Sequence, residues 1–177
     1  MNNKIESLKE RLKQALSSTA RVISDDFNYE SKKKDKKKID KFEFFELQDL
    51  NTKSDFLKAR ADSDSKALKK RFSDDRIFKK NLPSSSSYRS LYIIAEKIRY
   101  ETLGSKMLKG IEKNFRDNYI QINNLKRKDQ LKSKDDVSVS EAFELYMLKN
   151  FHNIELNSLT SKMLKFWEKD FNKSIFE

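Results

Sequence analysis

The chain has 177 residues, in which 39 Lys and Arg against 28 Asp and Glu give a net charge of +11 and hydrophobic residues make up 36%. With no Cys, one His and two Gly, the sequence excludes disulfides, thiolate metal sites and cysteine nucleophiles, histidine-cluster metal sites, and glycine loops that cradle phosphate. No apolar run approaches the ~20 residues of a membrane span. Met1 to Ser7 is polar with no apolar core behind it, so a soluble, cytoplasmic protein is expected.

Hydrophobic periodicity divides the chain into an N-terminal helix over 1–23, a basic linker over 24–51 and a helical domain over 52–177. In the first helix Ile5, Leu8, Leu12, Ala15, Leu16 and Ile23 recur at three- and four-residue steps, and Ser24-Asp25-Asp26 ends it. The linker holds Lys32-Lys33-Lys34-Asp35-Lys36-Lys37-Lys38, a self-repelling run suited to an exposed loop. Phe42 to Leu47 is short and aromatic, so at most a short strand or hairpin is expected near residues 27–47. A second helix starts at Thr52, Ser54 or Asp55, all plausible N-caps, and its apolar stripe of Leu57, Ala61, Leu68 and Phe72 is interrupted by Asp64. The pattern continues through Ile77 and Phe78 to Lys80.

Leu82-Pro83 and the serines 84–87 mark the clearest boundary, with turn and cap chemistry. Tyr88, Leu91, Tyr92, Ala95, Ile98 and Thr102 define a third helix. Gly104 and Gly110 then follow six apart, a spacing that predicts a bend or a close backbone approach. Leu108, Ile111, Phe115, Tyr119 and Ile122 resume helical spacing, and Lys126 to Asp136 is a polar loop. Ser138 or Ser140 caps a fifth helix, and Asn157 or Ser158 a sixth that carries Phe166 and Trp167. The fold class is therefore all-α, with about six helices.

The positive charge raises the possibility of a small basic helical protein that binds nucleic acid. Thirty lysines against nine arginines, with acids interspersed, favour a solvated surface instead. His152 lies between helices with no acid at helical spacing and reads as a surface or cap residue. Arg99 and Glu101, two apart, do not face each other, whereas Lys97 and Glu101 have the spacing of a helical ion pair. Asp62-Ser63-Asp64-Ser65 resembles a cation loop but lacks the glycine that such a loop needs. Trp167, beside Phe166 and near Phe171, reads as core or interface. No nucleophile–base pair or other catalytic constellation is legible.

Arg99-Tyr100-Glu101-Thr102-Leu103-Gly104, followed by Lys106, Gly110 and Asn114, has the form R-x-E-x-x-G-x5-G-x3-N. This is similar to the hallmark segment in the N-terminal region of the T subunit of aerobic cobaltochelatase. Ala61-Asp62-Ser63 and Ala67-Leu68 resemble that family's A-D-S…A-L element, with two extra residues here. Leu12 to Glu30 resembles its opening helix, and Glu141 to Ile175, with Trp167, its closing helices. Two features depart from the family: Ser73-Asp74 stands where a His-Asp dipeptide is expected, and the von Willebrand A-type domain of full-length members is not in this chain.

The resemblance implies a non-catalytic coupling subunit of the complex that inserts cobalt into a corrin ring in cobalamin biosynthesis. Such a subunit docks onto an AAA+ ATPase subunit, and the assembly acts on a large tetrapyrrole-binding subunit, so a hetero-oligomer is implied. ATP, Mg and cobalt belong to the complex; no cofactor is expected on this chain alone, and neither membrane nor nucleic acid is an expected partner. Asp62, Ser63, Arg99, Glu101, Gly104, Gly110 and Asn114 are the implied partner-binding or structural residues.

Overall fold

A computed structural model describes residues 2–27, 52–126 and 133–176. Among these the secondary structure is helical, with no strand, and the lysine block and the expected strand or hairpin over 28–47 lie outside the described residues. The helices are α1 (Asn2–Ser24), α2 (Lys53–Phe72), α3 (Asp75–Lys80), α4 (Ser86–Met107), α5 (Lys109–Leu125), α6 (Val139–Phe151), α7 (Ser158–Lys165) and α8 (Glu168–Phe176), with a 3-10 turn at Lys134–Asp136. The described residues thus hold eight α-helices rather than about six.

Both additional helices arise where a local hydrogen bond competes with the apolar rhythm. At Ser73-Asp74 the backbone turns extended, and the Asp74 carboxylate accepts from the N–H groups of Arg76 and Ile77 at 2.7 and 3.2 Å. The expected second helix is therefore cut into α2 and α3 by an internal N-cap. At Phe166-Trp167 the chain turns so that the Trp167 indole N–H donates to Val137 O at 3.2 Å, separating α7 from α8. Burying an indole calls for an acceptor, and one off-helix turn supplies it.

The chain forms two compact units, Met1–Ser73 and Asp74–Glu177. In the first, α1 packs against α2, with Leu16, Ala20 and Ile23 buried on one helix and Ala59, Ala61, Ala67 and Leu68 on the other. Thr52 is the N-cap among the three candidates, and it shares a capping box with Asp55. Helix α1 ends with Asp25 in the left-handed conformation (φ 58°), where its N–H and that of Asp26 return to Val22 and Arg21 carbonyls. Arg71 donates to Ile23 O at 3.1 Å, placing a cation at the negative end of α1.

In the second unit α6 is the shared element, packing against α4, α7 and α8. One side of its core gathers Val137, Ala142, Leu145, Tyr146, Leu159, Met163, Leu164 and Phe171. Phe171 meets Phe143 edge-on at 5.5 Å and Tyr146 at 5.4 Å between ring centroids. Ser138 caps α6 and Asn157 caps α7. Asn157 accepts from the Thr160 N–H at 2.9 Å and donates to Asn123 O at 3.1 Å, so it also ties α7 to the end of α5. Replacing Asn157 with Ala is expected to lower the unfolding free energy by about 1–2 kcal/mol. Urea denaturation of the two proteins checks this; equal midpoints would show that the cap is redundant.

Candidate functional site

Helix α4 turns two very different faces outward and inward at the segment 99–104. Arg99 is exposed and grips Glu96 one turn earlier through two bonds, Nε to Oε2 at 2.7 Å and a terminal nitrogen to Oε1 at 2.8 Å. Glu96 raises the Arg99 pKa, chiefly through this hydrogen bond. Glu101, two residues on, points inward and is 1% exposed. Its Oε2 accepts from the Tyr119 hydroxyl of α5 at 2.6 Å, a charge-assisted bond of the strong kind. Burial pushes the Tyr119 pKa well above its ordinary value, and the Glu101 charge adds to this, so the phenol keeps its proton and remains a donor.

His152 completes the cluster. It is the C-cap of α6 and only 7% exposed, so it is a cap residue but not a surface one. Asn153 follows in the left-handed conformation (φ 52°) that asparagine accepts more readily than most residues, and this turn directs the ring inward. The imidazole meets Phe115 edge-on at 6.0 Å and Tyr119 at 6.1 Å. Its Nε2 lies 3.4 Å from Thr102 Oγ1 and 3.9 Å from Glu101 Oε2. Burial lowers the His152 pKa to about 4, helped by the positive charge of Lys97 and partly opposed by Glu112. The ring is therefore neutral near pH 7, and its approach to Glu101 is not an ion pair. A proton on Nε2 suits both neighbours, since each offers an acceptor oxygen.

Lys97 lies 3.8 Å from Glu144 of α6 and 5.3 Å from the Tyr119 ring centroid. It thus meets an acid on another helix, while Glu101 turns inward to Tyr119. The cluster joins α4, α5 and α6 through one carboxyl group, one phenol and one neutral imidazole. Among the described residues no three His, Cys, Asp or Glu side chains gather where they could hold a metal ion.

The remaining residues of the motif fall in distinct settings. Gly104 is buried in the last turn of α4, and its carbonyl accepts the Leu108 N–H at 2.9 Å. The bend predicted by the two glycines occurs, but at Leu108 between them, which is both C-cap of α4 and N-cap of α5. Gly110 is exposed inside α5 without a positive φ, and nothing lies within 4 Å of where its Cβ would be. Asn114 is half-buried on α5. Asp62 and Ser63 lie on α2 in the other unit, Asp62 half-buried and Ser63 buried with its hydroxyl unpaired among the described residues. Tyr119, Thr102 and His152 were not singled out as site residues from the sequence.

These features define a protein that is helical, without strands, over its described residues, with inward-facing polar groups at Glu101, Tyr119 and His152 that clamp three helices together. A sequence model of the family of cobalamin biosynthesis protein CobT matches residues 6–176, and the chain belongs to that family, with a role in cobalamin biosynthesis. No curated protein matches the chain, and no solved structure does. Among the described residues no helix is long and apolar enough to cross a membrane.

Two outcomes follow from this geometry. His152 is neutral in the fold down to about pH 4 but titrates near 6.5 once unfolded. Between those values the unfolded state binds the extra proton, so the stability present above pH 6.5 declines as pH falls, by about 3 kcal/mol in full. Urea midpoints of the wild type and His152→Asn should therefore converge on acidification; a constant gap would refute the neutral ring. Gly110→Ala should stabilise the protein by up to about 1 kcal/mol, and a lower melting temperature would show that the fold needs glycine there.

Proposed function

We propose that this chain is a coupling subunit of the ATP-dependent cobaltochelatase that inserts cobalt into a corrin ring, and that it docks onto the AAA+ ATPase subunit. The observation that carries this reading is the family match over residues 6–176, with the R-x-E-x-x-G segment held as a two-faced strut. Glu101 fastens the segment from inside through Tyr119, and Arg99 is held outward by Glu96. Leu103 and Met107, four and eight residues beyond Arg99, are exposed on the same side of α4. A cation beside apolar side chains on a fixed helix suits a partner surface.

In this reading the chain supplies shape and rigidity. ATP and Mg belong to the ATPase subunit, cobalt and the corrin ring are substrates of the whole assembly, and the large subunit holds the tetrapyrrole. The complex works in the cytoplasm. Movement of the ATPase is passed on by a helical body whose interior clamps resist deformation. Size-exclusion chromatography with mass detection, on a mixture with the AAA+ subunit, should give a stable complex that responds to ATP. Arg99→Glu should weaken it at least tenfold while leaving the melting temperature near that of the wild type, because Arg99 is exposed. Absence of any complex between the two folded proteins would overturn the reading.

A further inference from the structure

The elbow at Leu108, where α4 gives way to α5, exposes apolar and basic side chains close together in sequence. Leu103, Met107 and Leu108 are 39%, 40% and 42% exposed within six residues of sequence. Single exposed apolar side chains are ordinary, but a contiguous group marks a contact surface. Lys106, Lys109 and Lys113 are exposed alongside them, and none of the three has an ionic or hydrogen-bond partner among the described residues. Lys134 and Lys149, by contrast, meet Asp170 and Glu168, each at 2.7 Å, while Lys165 and Lys169 are exposed on α7 and α8 with no exposed leucine or methionine beside them in sequence. From Thr102 to Ile111 the sequence contains no acidic residue, and Glu112, between Lys109 and Lys113 in the sequence, is engaged by Arg116.

Gly110 adds an independent observation. The fold gives no reason for a glycine there: its φ is not positive, it sits in a helix, and the space a Cβ would fill is open. A residue without a side chain at an exposed helical position matters to something that lies against it, because it lets a second backbone come close. That second backbone is not supplied by the described residues.

We propose that the α4–α5 elbow is a docking surface for an acidic, amphipathic segment of a partner protein. Leu103, Met107 and Leu108 seat its apolar side chains, and Lys106, Lys109 and Lys113 pair with its carboxylates. Gly110 admits its backbone. Charge complementarity names the occupant: three cations without partners among the described residues, beside one acid that Arg116 already engages, select an anionic partner and speed its encounter. This deepens the docking reading above and rests on it only for the identity of the partner.

The test uses the full chain and, as probe, a synthetic amphipathic helix with one leucine face and one glutamate face, titrated calorimetrically. Binding is expected to weaken with salt. Gly110→Leu and the combined Lys106→Glu, Lys109→Glu, Lys113→Glu variant should each lose at least tenfold in affinity, with circular dichroism unchanged. Lys165→Glu with Lys169→Glu, exposed on α7 and α8, should stay within twofold. Equal losses at both places, or none at the elbow, overturn the proposal.

The same variants are then mixed with the AAA+ subunit. A wild-type complex that the elbow variants retain overturns the elbow while docking stands. No wild-type complex, with peptide binding still dependent on the elbow, sinks the docking reading and keeps the elbow for another acidic partner. Self-association or oligo(dT) binding that disappears with the same substitutions, without peptide binding, would assign the surface to a second copy or to nucleic acid and overturn the proposal.

Discussion

A carboxyl group taken almost wholly out of water must be met by donors, and Glu101, 1% exposed, is met by the Tyr119 hydroxyl from the next helix. Removing one partner of such a bond leaves the other buried and poorly compensated, which costs more than the bond itself contributes. The consequence is positional. Tyr119 can reach Glu101 only if α5 folds back along α4, so the one-residue break at Leu108 and the buried pair depend on each other. His152 and Phe115 then fill the space beside the pair, and His152 can do so only because α6 ends where it does. The polar cluster therefore selects the arrangement of three helices whose apolar faces alone would be less selective. In a chain with 36% hydrophobic residues, that selectivity is worth having.

The first unit solves a related problem with smaller side chains. Ala20 on α1 and Ala59, Ala61 and Ala67 on α2 are buried, so part of this helix pair's core is built from methyl groups. Asp64, 2% exposed, shares that buried helix with Ser63 and Ser65. The apolar stripe that Asp64 interrupts in sequence is thus continuous in burial, with a charged residue inside it. Arg71 joins the pair from outside by binding the last turn of α1 through Ile23 O, and it approaches Asp25 at 3.8 Å.

Periodicity made the helices legible because amphipathic spacing records which face is buried, and caps at Thr52, Ser138 and Asn157 are local chemistry. The two additional helix breaks were not legible for the opposite reason. Asp74 and Trp167 satisfy hydrogen bonds that override an apolar rhythm which by itself runs on. Arg99, Glu101, Gly104, Gly110 and Asn114 could be named from their pattern, but their separation into inner and outer faces could not be fully read. Glu101 in fact lies three residues after Ile98 and three before Gly104, both buried, so the inner stripe passes through it. Taking Thr102 as the continuation of that stripe hid the carboxylate. Tyr119 and His152 lie 18 and 51 positions from Glu101, and only tertiary folding brings such residues together. The one usable signal for His152 was Asn153, a residue suited to the left-handed turn that ends a helix.

Charge is divided between two uses. Across the second unit, ion pairs join different elements: Lys97 to Glu144, Lys126 to Glu141, Lys134 to Asp170 and Lys149 to Glu168. Each exposed pair contributes about 1 kcal/mol or less, but together they outline α6 and its neighbours on the surface. A basic chain has too few acids to pair every lysine, and where the unpaired ones collect is informative. At the α4–α5 elbow three of them, Lys106, Lys109 and Lys113, lie beside exposed leucine and methionine side chains and a glycine with open space over it. Solubility alone would be served equally well by scattering those lysines, and the fold alone would be better served by alanine at position 110. The docking surface proposed for the elbow would account for both choices at one place.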